Sequence, residues 1–325
     1  MTKSVLAAAL LSAFAAVAQQ SRFIVAQKLS GTVGFYDAEG KHIADVKVGL
    51  HPHEMALSPD GRTLYVSDNG VVWMTEDANG ENTLSVIDVA TRKRTAVIDL
   101  GRYHRPHGIV VDPKTGRLLV TTERPNGLLL VDPASHVIVK AFDIKGIAPH
   151  MVTLSPDSVW AFTSNSTSGD LSAIRIATGE VKVIAAGKRP QGQAFSPDRK
   201  TLYVTFADDP AIGIFDLSKM AFVGRIATGK TPSRVAVTPD GKTLVYALQQ
   251  AHAVGFADVA TRKEIGEADA GGPTMSISLS PDGKTAYTGI QEQDRVVAVS
   301  VASREAIRSF STPKGAGPDP VIPLF

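Results

Sequence analysis

Short apolar runs alternate with polar turns rich in Pro, Asp and Gly along most of this chain. The stretch from Arg189 shows the pattern most clearly. Gln193-Ala194-Phe195 predicts a first strand, Ser196-Pro197-Asp198 a turn, and residues 201–205 a second strand. Residues 212–216 and 221–226 read as third and fourth strands, and Gly229 closes the unit just before Pro232. β-rich runs bounded by turn formers at regular intervals predict antiparallel meanders. Asp60-Gly61, Asp240-Gly241 and Asp282-Gly283 read as tight hairpins whose two central residues both take positive φ. No segment carries a helical period, so the expected class is all-β.

The unit repeats. A proline opens a short strand at Pro52, Pro106, Pro149, Pro190, Pro232, Pro273 and Pro318, with spacings of 54, 43, 41, 42, 41 and 45 residues. A period near forty with four strands per repeat is that of a β-propeller blade. Six of these segments each hold four candidate strands. The residues before His51 hold only three, at 23–26, 32–36 and 43–46, and the C-terminal run 318–322 is an orphan. Joining the orphan to those three completes a seventh four-stranded antiparallel blade and closes the ring. Its prolines are tolerable because an innermost strand has one unpaired edge.

Tyr65-Val66-Ser67-Asp68-Asn69 and Tyr203-Val204-Thr205, each after a Ser-Pro-Asp turn, resemble the YVTN-type propeller repeat, and residues 86–91 resemble its third strand. The resemblance covers essentially the whole chain after residue 18 and is similar to that of exported, YncE-like bacterial propellers. It implies the seven-bladed fold. Function stays open, because related propellers include non-catalytic binding proteins, lactonases, streptogramin lyase and subunits of quinoprotein dehydrogenases.

Composition narrows the classes. Apolar residues make up 43% of the 325, with 28 Gly and 19 Pro, which suits one turn-rich domain over residues 19–325. Basic and acidic side chains number 34 and 32, and no basic stripe appears, so nucleic acid is excluded as a partner. The longest basic cluster, Arg92-Lys93-Arg94, falls at a strand turn. Lys3, the apolar run 5–17 and Ala16-Val17-Ala18 predict a cleaved signal peptide over residues 1–18, with an uncleaved anchor as the alternative. The mature chain is then periplasmic or secreted, without a transmembrane span, and is expected to be a monomer. With no cysteine it has no disulfide, no cysteine-ligated iron–sulfur cluster and no covalent c-type haem.

The chemistry concentrates where His follows the repeat proline, at His53, His107 and His150. Ring closure brings Asp319 to the adjacent equivalent position. Three imidazoles and a carboxylate at one channel mouth form a ligand set for a divalent transition metal such as zinc, copper, iron or nickel. Glu54, Glu123 or Asn165 can orient those rings, and Gln191, Gln193 and Arg234 occupy nearby repeat positions. Glu123 or Glu76 is the candidate proton-transfer group for a hydrolase, lyase or oxidoreductase. His51 and His104 read as loop groups near the same mouth, with a ligand or proton-shuttle role as the alternative, and His42, His136 and His252 as surface residues. The long connection 67–83 carries Trp73 and suits either a substrate lid or a partner-docking loop. Three readings of the ring stand: a metal centre, an organic-ligand site without metal, and hydrogen-bonding groups that brace the channel neck. A non-catalytic scaffold for a partner protein or the cell envelope, or an accessory to a quinoprotein dehydrogenase, competes with the small-molecule site.

Overall fold

The computed structural model describes residues 20–324. They form seven four-stranded antiparallel sheets arranged as the blades of a propeller. The predicted signal peptide lies outside the described residues. Among the described residues no helix is long and apolar enough to cross a membrane, and two short 3₁₀ turns, Gln249–Ala251 and Gln291–Gln293, are the helical elements.

The seventh blade closes as the spacing predicts. Pro318–Pro323 is its innermost strand and pairs with Phe23–Gln27, which pairs with Thr32–Tyr36 and then His42–Lys47. Ile322 lies opposite Ile24 and Val321 opposite Val25. The ring is thus tied by backbone hydrogen bonds between the two ends of the chain.

Second and third strands are almost wholly buried, whereas fourth strands such as Lys93–Asp99 alternate toward solvent. The core lies between blades rather than within one. Ile24, Phe35, Met55, Leu64 and Ile87, for example, join the closing blade to the next. A meander with two apolar faces is stable only when neighbours cover both, which is why radial repetition and closure go together.

The Asp-Gly hairpins differ from expectation. Gly61, Gly241 and Gly283 take φ of 70–72°, but their aspartates are not among the residues with positive φ. Asp60 Oδ1 instead accepts from Ser58 Oγ at 2.6 Å and Arg62 N–H at 3.1 Å, and Asp240 and Asp282 do the same in their turns. The aspartate is a hydrogen-bond acceptor that holds the turn, and glycine alone supplies the left-handed residue.

Candidate functional site

The histidines reach the channel through a repeated local device. The innermost strands Pro52–Leu57, His104–Val111, Pro149–Leu154 and Pro190–Phe195 each break register just after the repeat proline, between Pro52 and Met55, Pro106 and Ile109, Pro149 and Val152, and Pro190 and Gln193. A β-bulge re-aims a side chain, and here the re-aimed residue is His53, His107, His150 or Gln191. The residues before these prolines, His51, Arg105, Ala148 and Arg189, all have φ between 46° and 56°. That left-handed turn, uncommon outside glycine, swings each chain into its inner strand.

In three of these four blades a hydroxyl of the second strand then locks the bulge to the next blade, while the equivalent Ser164 bonds the Gln193 side chain. Ser67 Oγ donates to the His107 carbonyl at 2.7 Å and accepts from Glu54 N–H at 3.0 Å. Thr121 Oγ1 donates to the His150 carbonyl at 3.0 Å and accepts from Gly108 N–H at 2.8 Å. Thr205 repeats the pattern with Ser233 and Gly192. The third residue of the Tyr-Val-Ser/Thr motif therefore fixes both the bulge and its neighbour's backbone. Glycine at 108 is required by proximity, since a Cβ there would sit 2.6 Å from the His150 carbonyl oxygen.

The three rings form a buried, contiguous row. His53 and His107 lie 4.5 Å apart between ring centroids, and His107 and His150 lie 4.1 Å apart. His53 Nε2 is 2.8 Å from the Val71 carbonyl, so this nitrogen carries the proton and Nδ1 is left with a lone pair. His107 Nδ1 is 2.9 Å from Glu123 Oε1 and donates to that carboxylate. The two remaining nitrogens, His53 Nδ1 and His107 Nε2, face each other at 3.3 Å. His150 Nδ1 is buried with no hydrogen-bond partner. Burial first, and then nearby positive charge, lowers His53 and His150 well below the usual imidazole range, so both are neutral with available lone pairs.

Around this row the charges are balanced. Arg105, fully buried, places Nε 2.9 Å from Glu123 Oε2, a close ion pair without aligned hydrogen-bond geometry. Its terminal nitrogens donate to the carbonyls of Trp73, Met74 and Glu76, pinning the connection 67–83 over the mouth. Arg234 Nη2 donates across the channel to Glu54 Oε1 at 3.0 Å. Lys28 is buried, 3.9 Å from Asp319 and 5.6 Å from the Trp73 ring centroid. Burial lowers its pKa, the Asp319 charge opposing that shift. Burial likewise pushes Glu54 up, against the pull of Arg234.

A cavity of about 160 Å³ opens beside the row, lined among others by all three histidines, Gln191, Arg234 and Asp319. Trp73, 46% exposed, also lines it. Several expected site residues lie elsewhere. The Glu76 carboxylate is exposed and accepts from the N–H groups of Val72 and Trp73, so it braces its own loop. Asn165 is satisfied by Thr163, Asp170 and Ser172 within its own blade. The Gln193 amide lies 2.6 Å from the Thr153 and Ser164 hydroxyls, between blades. Asp319 faces Lys28, and among the described residues no three His, Asp or Glu side chains already converge as a metal-binding group. His51 and His104 cap the Lys28 and Gly80 carbonyls at 3.0 and 3.2 Å, while His42, His136 and His252 are exposed. Lys28, Arg105 and Ser233 are additional site residues. Arg105 occupies a pre-proline position that the repeat itself marks. Ser233 follows the repeat proline Pro232, the position that carries histidine in three other blades, whereas Lys28 has no comparable signal.

The chain is similar to a gluconolactonase of Zymomonas mobilis, 27% identical over 165 residues that cover 49% of this chain and 37% of that relative. The matched region thus spans little more than a third of the relative. Among solved structures, hydrazine synthase of Kuenenia stuttgartiensis superposes with a TM-score of 0.73 at 20% identity, over 87% of this chain and 93% of that one. A functionally unknown protein of Desulfotomaculum acetoxidans gives 0.77 at 13% identity, over 94% and 99%. The dihydro-heme d1 dehydrogenase NirN in complex with DHE gives 0.68 at 18% identity, over 90% and 64%. At these identities the likeness concerns the fold alone. The model of the YNCE-like β-propellers matches residues 71–271, more than half of the sequence, and the chain belongs to that family.

Proposed function

We propose that this YNCE-like propeller is an exported small-molecule-binding protein whose channel mouth holds a divalent transition metal through His53, His107 and His150. One observation carries the reading. The far nitrogens of His53 and His107 are occupied by the Val71 carbonyl and by Glu123, so their near nitrogens, 3.3 Å apart, are the ones offered inward. Two ligands of a tetrahedral ion at about 2.05 Å stand about 3.3 Å from each other. The carbonyl behind His53 and the carboxylate behind His107 are the outer shell that metal-binding histidines ordinarily carry.

The neutral state of His53 and His150 removes a charge that would repel a cation. When bound, such an ion supplies Lewis-acid polarisation of a ligand oxygen. Glu123 is a positioning residue on this reading, orienting His107 while Arg105 holds it in place. The partial similarity to a gluconolactonase makes hydrolysis the first reaction class to screen.

The test is the metal content of tag-free protein beside a His53→Ala/His107→Ala/His150→Ala variant whose folding is checked by its melting curve. Near-stoichiometric metal in the wild type and none in the folded variant is expected. No metal in either, after incubation with zinc, copper, iron and nickel in turn, would defeat the metal reading.

A further inference from the structure

The wall of the cavity opposite the histidines is cationic and incompletely satisfied. Lys28 is buried, with 5% side-chain exposure, yet its ammonium makes no hydrogen bond among the described residues, its neighbours being Asp319 at 3.9 Å and the Trp73 ring. Arg234 is 15% exposed and spends one N–H, on Nη2, against Glu54. Its other guanidinium N–H groups find no acceptor among the described residues. Ser233 Oγ and His150 Nδ1, each more than nine-tenths buried, line the same space and lack partners. A buried polar group without a partner costs on the order of 1–3 kcal/mol, so two such groups, Ser233 Oγ and His150 Nδ1, beside two incompletely hydrogen-bonded cations describe a site that a ligand completes.

We infer that this cavity takes a small organic carboxylate, with its anionic end on Lys28, Arg234 and Ser233. The assignment deepens the small-molecule reading of the mouth and does not depend on the metal. Charge sets the sign of the ligand. Lys28, Arg189 and Arg234 line the cavity beside the acid Asp319, while Glu54 and Asp208, the acids paired with Arg234 and Arg189, do not line it. Guanidinium and ammonium groups pair most strongly with carboxylate or phosphate oxygens. The rest of the wall selects between those two anions. Val72, Trp73, Met74 and Met275 give it an apolar side, which suits a carbon skeleton and leaves inorganic phosphate half-contacted. Size bounds the skeleton, since about 160 Å³ is room for about five waters.

The experiment is calorimetric titration with succinate, and with inorganic phosphate and butylamine as comparison probes, of wild type, Lys28→Met, Arg234→Gln and Ser233→Ala. Ser233→Ala removes no protein hydrogen bond of that hydroxyl and guards against a variant that merely unfolds. Wild type is expected to bind succinate in preference to the other two probes. Lys28→Met and Arg234→Gln should each bind it about tenfold to hundredfold more weakly, as loss of a charge-assisted hydrogen bond requires. Ser233→Ala should bind it several-fold more weakly, and all three variants should retain wild-type metal content. Absence of succinate binding, preference for phosphate, or unchanged affinity in folded Lys28→Met and Arg234→Gln would overturn the inference. Succinate binding that survives in the triple-histidine variant would uphold it even if the metal reading fails.

Discussion

Arg105 and Glu123 stand 2.9 Å apart, Nε to Oε2, with 2% and 6% of their side chains exposed. The carboxylate touches His107 on one side, and the guanidinium holds three carbonyls of the 67–83 connection on the other. The loop that covers the mouth and the ring that lines it are thereby parts of one buried polar network. Removing the cation strands a carboxylate and three carbonyls. Arg105→Met should therefore cost about 3–5 kcal/mol. It should also open residues 67–83 to limited proteolysis. Urea unfolding and protease mapping check both effects, and a wild-type midpoint with an intact loop would refute the network.

Glu123→Gln keeps an oxygen that can accept from His107 Nδ1 but removes the charge behind the ring. Zinc affinity should fall about tenfold to hundredfold, the usual effect of losing an outer-shell carboxylate. Competitive zinc titration of the folded variant measures this. Equal affinity would mean that Glu123 does not tune the histidine.

Gly108→Ala tests the blade-to-blade approach. The added Cβ would press on the backbone at His150 and Met151, which cannot rotate away. A destabilisation of about 1–3 kcal/mol is expected by analogy with overpacked cores. Gly61, with nothing within 4 Å of its added Cβ, tests the turn instead, its cost arising only from φ of 70°. Chemical denaturation of the two alanine variants separates contact from conformation, and a neutral Gly108→Ala would contradict the packing described.

Burial raises Asp68 from 3.8 to about 6, although Ser85, Thr83 and the Gly49 N–H all stabilise its carboxylate. Its folded pKa exceeds its unfolded one, so between these values the native state binds more protons. That contribution to stability is complete below pH 3.8 and is lost as pH rises through about 6. The span corresponds to a loss on the order of 3 kcal/mol. Asp68→Asn should remove this slope, so that the wild-type-minus-variant stability falls between pH 4 and 7. A difference that is flat in pH would show that the carboxyl titrates normally.

The fold was legible because its determinants repeat. Proline spacing, Ser-Pro-Asp turns and strands such as 201–205 recur often enough to count blades, and the orphan Pro318–Pro323 has one vacant edge to fill. The histidine row was legible for the same reason. Spacing says less about side-chain direction. The bulge after Pro190 turns Gln191 into the channel but leaves Gln193 between blades, and nothing in the residue types separates these two glutamines. Asn165 and Glu76 look like mouth groups, yet each is consumed by local hydrogen bonds. Lys28 reads as an ordinary hairpin lysine until ring closure buries it against Asp319 and Trp73.

The central claim is that His53 Nδ1 and His107 Nε2 share a metal ion with His150. Anomalous diffraction from crystals soaked with zinc, recorded on both sides of the zinc absorption edge, tests it most directly. One dominant peak is expected at about 2.0–2.1 Å from those two nitrogens and in reach of the His150 ring. Zinc found only at exposed His42, His136 or His252, with none at the channel mouth, would contradict it.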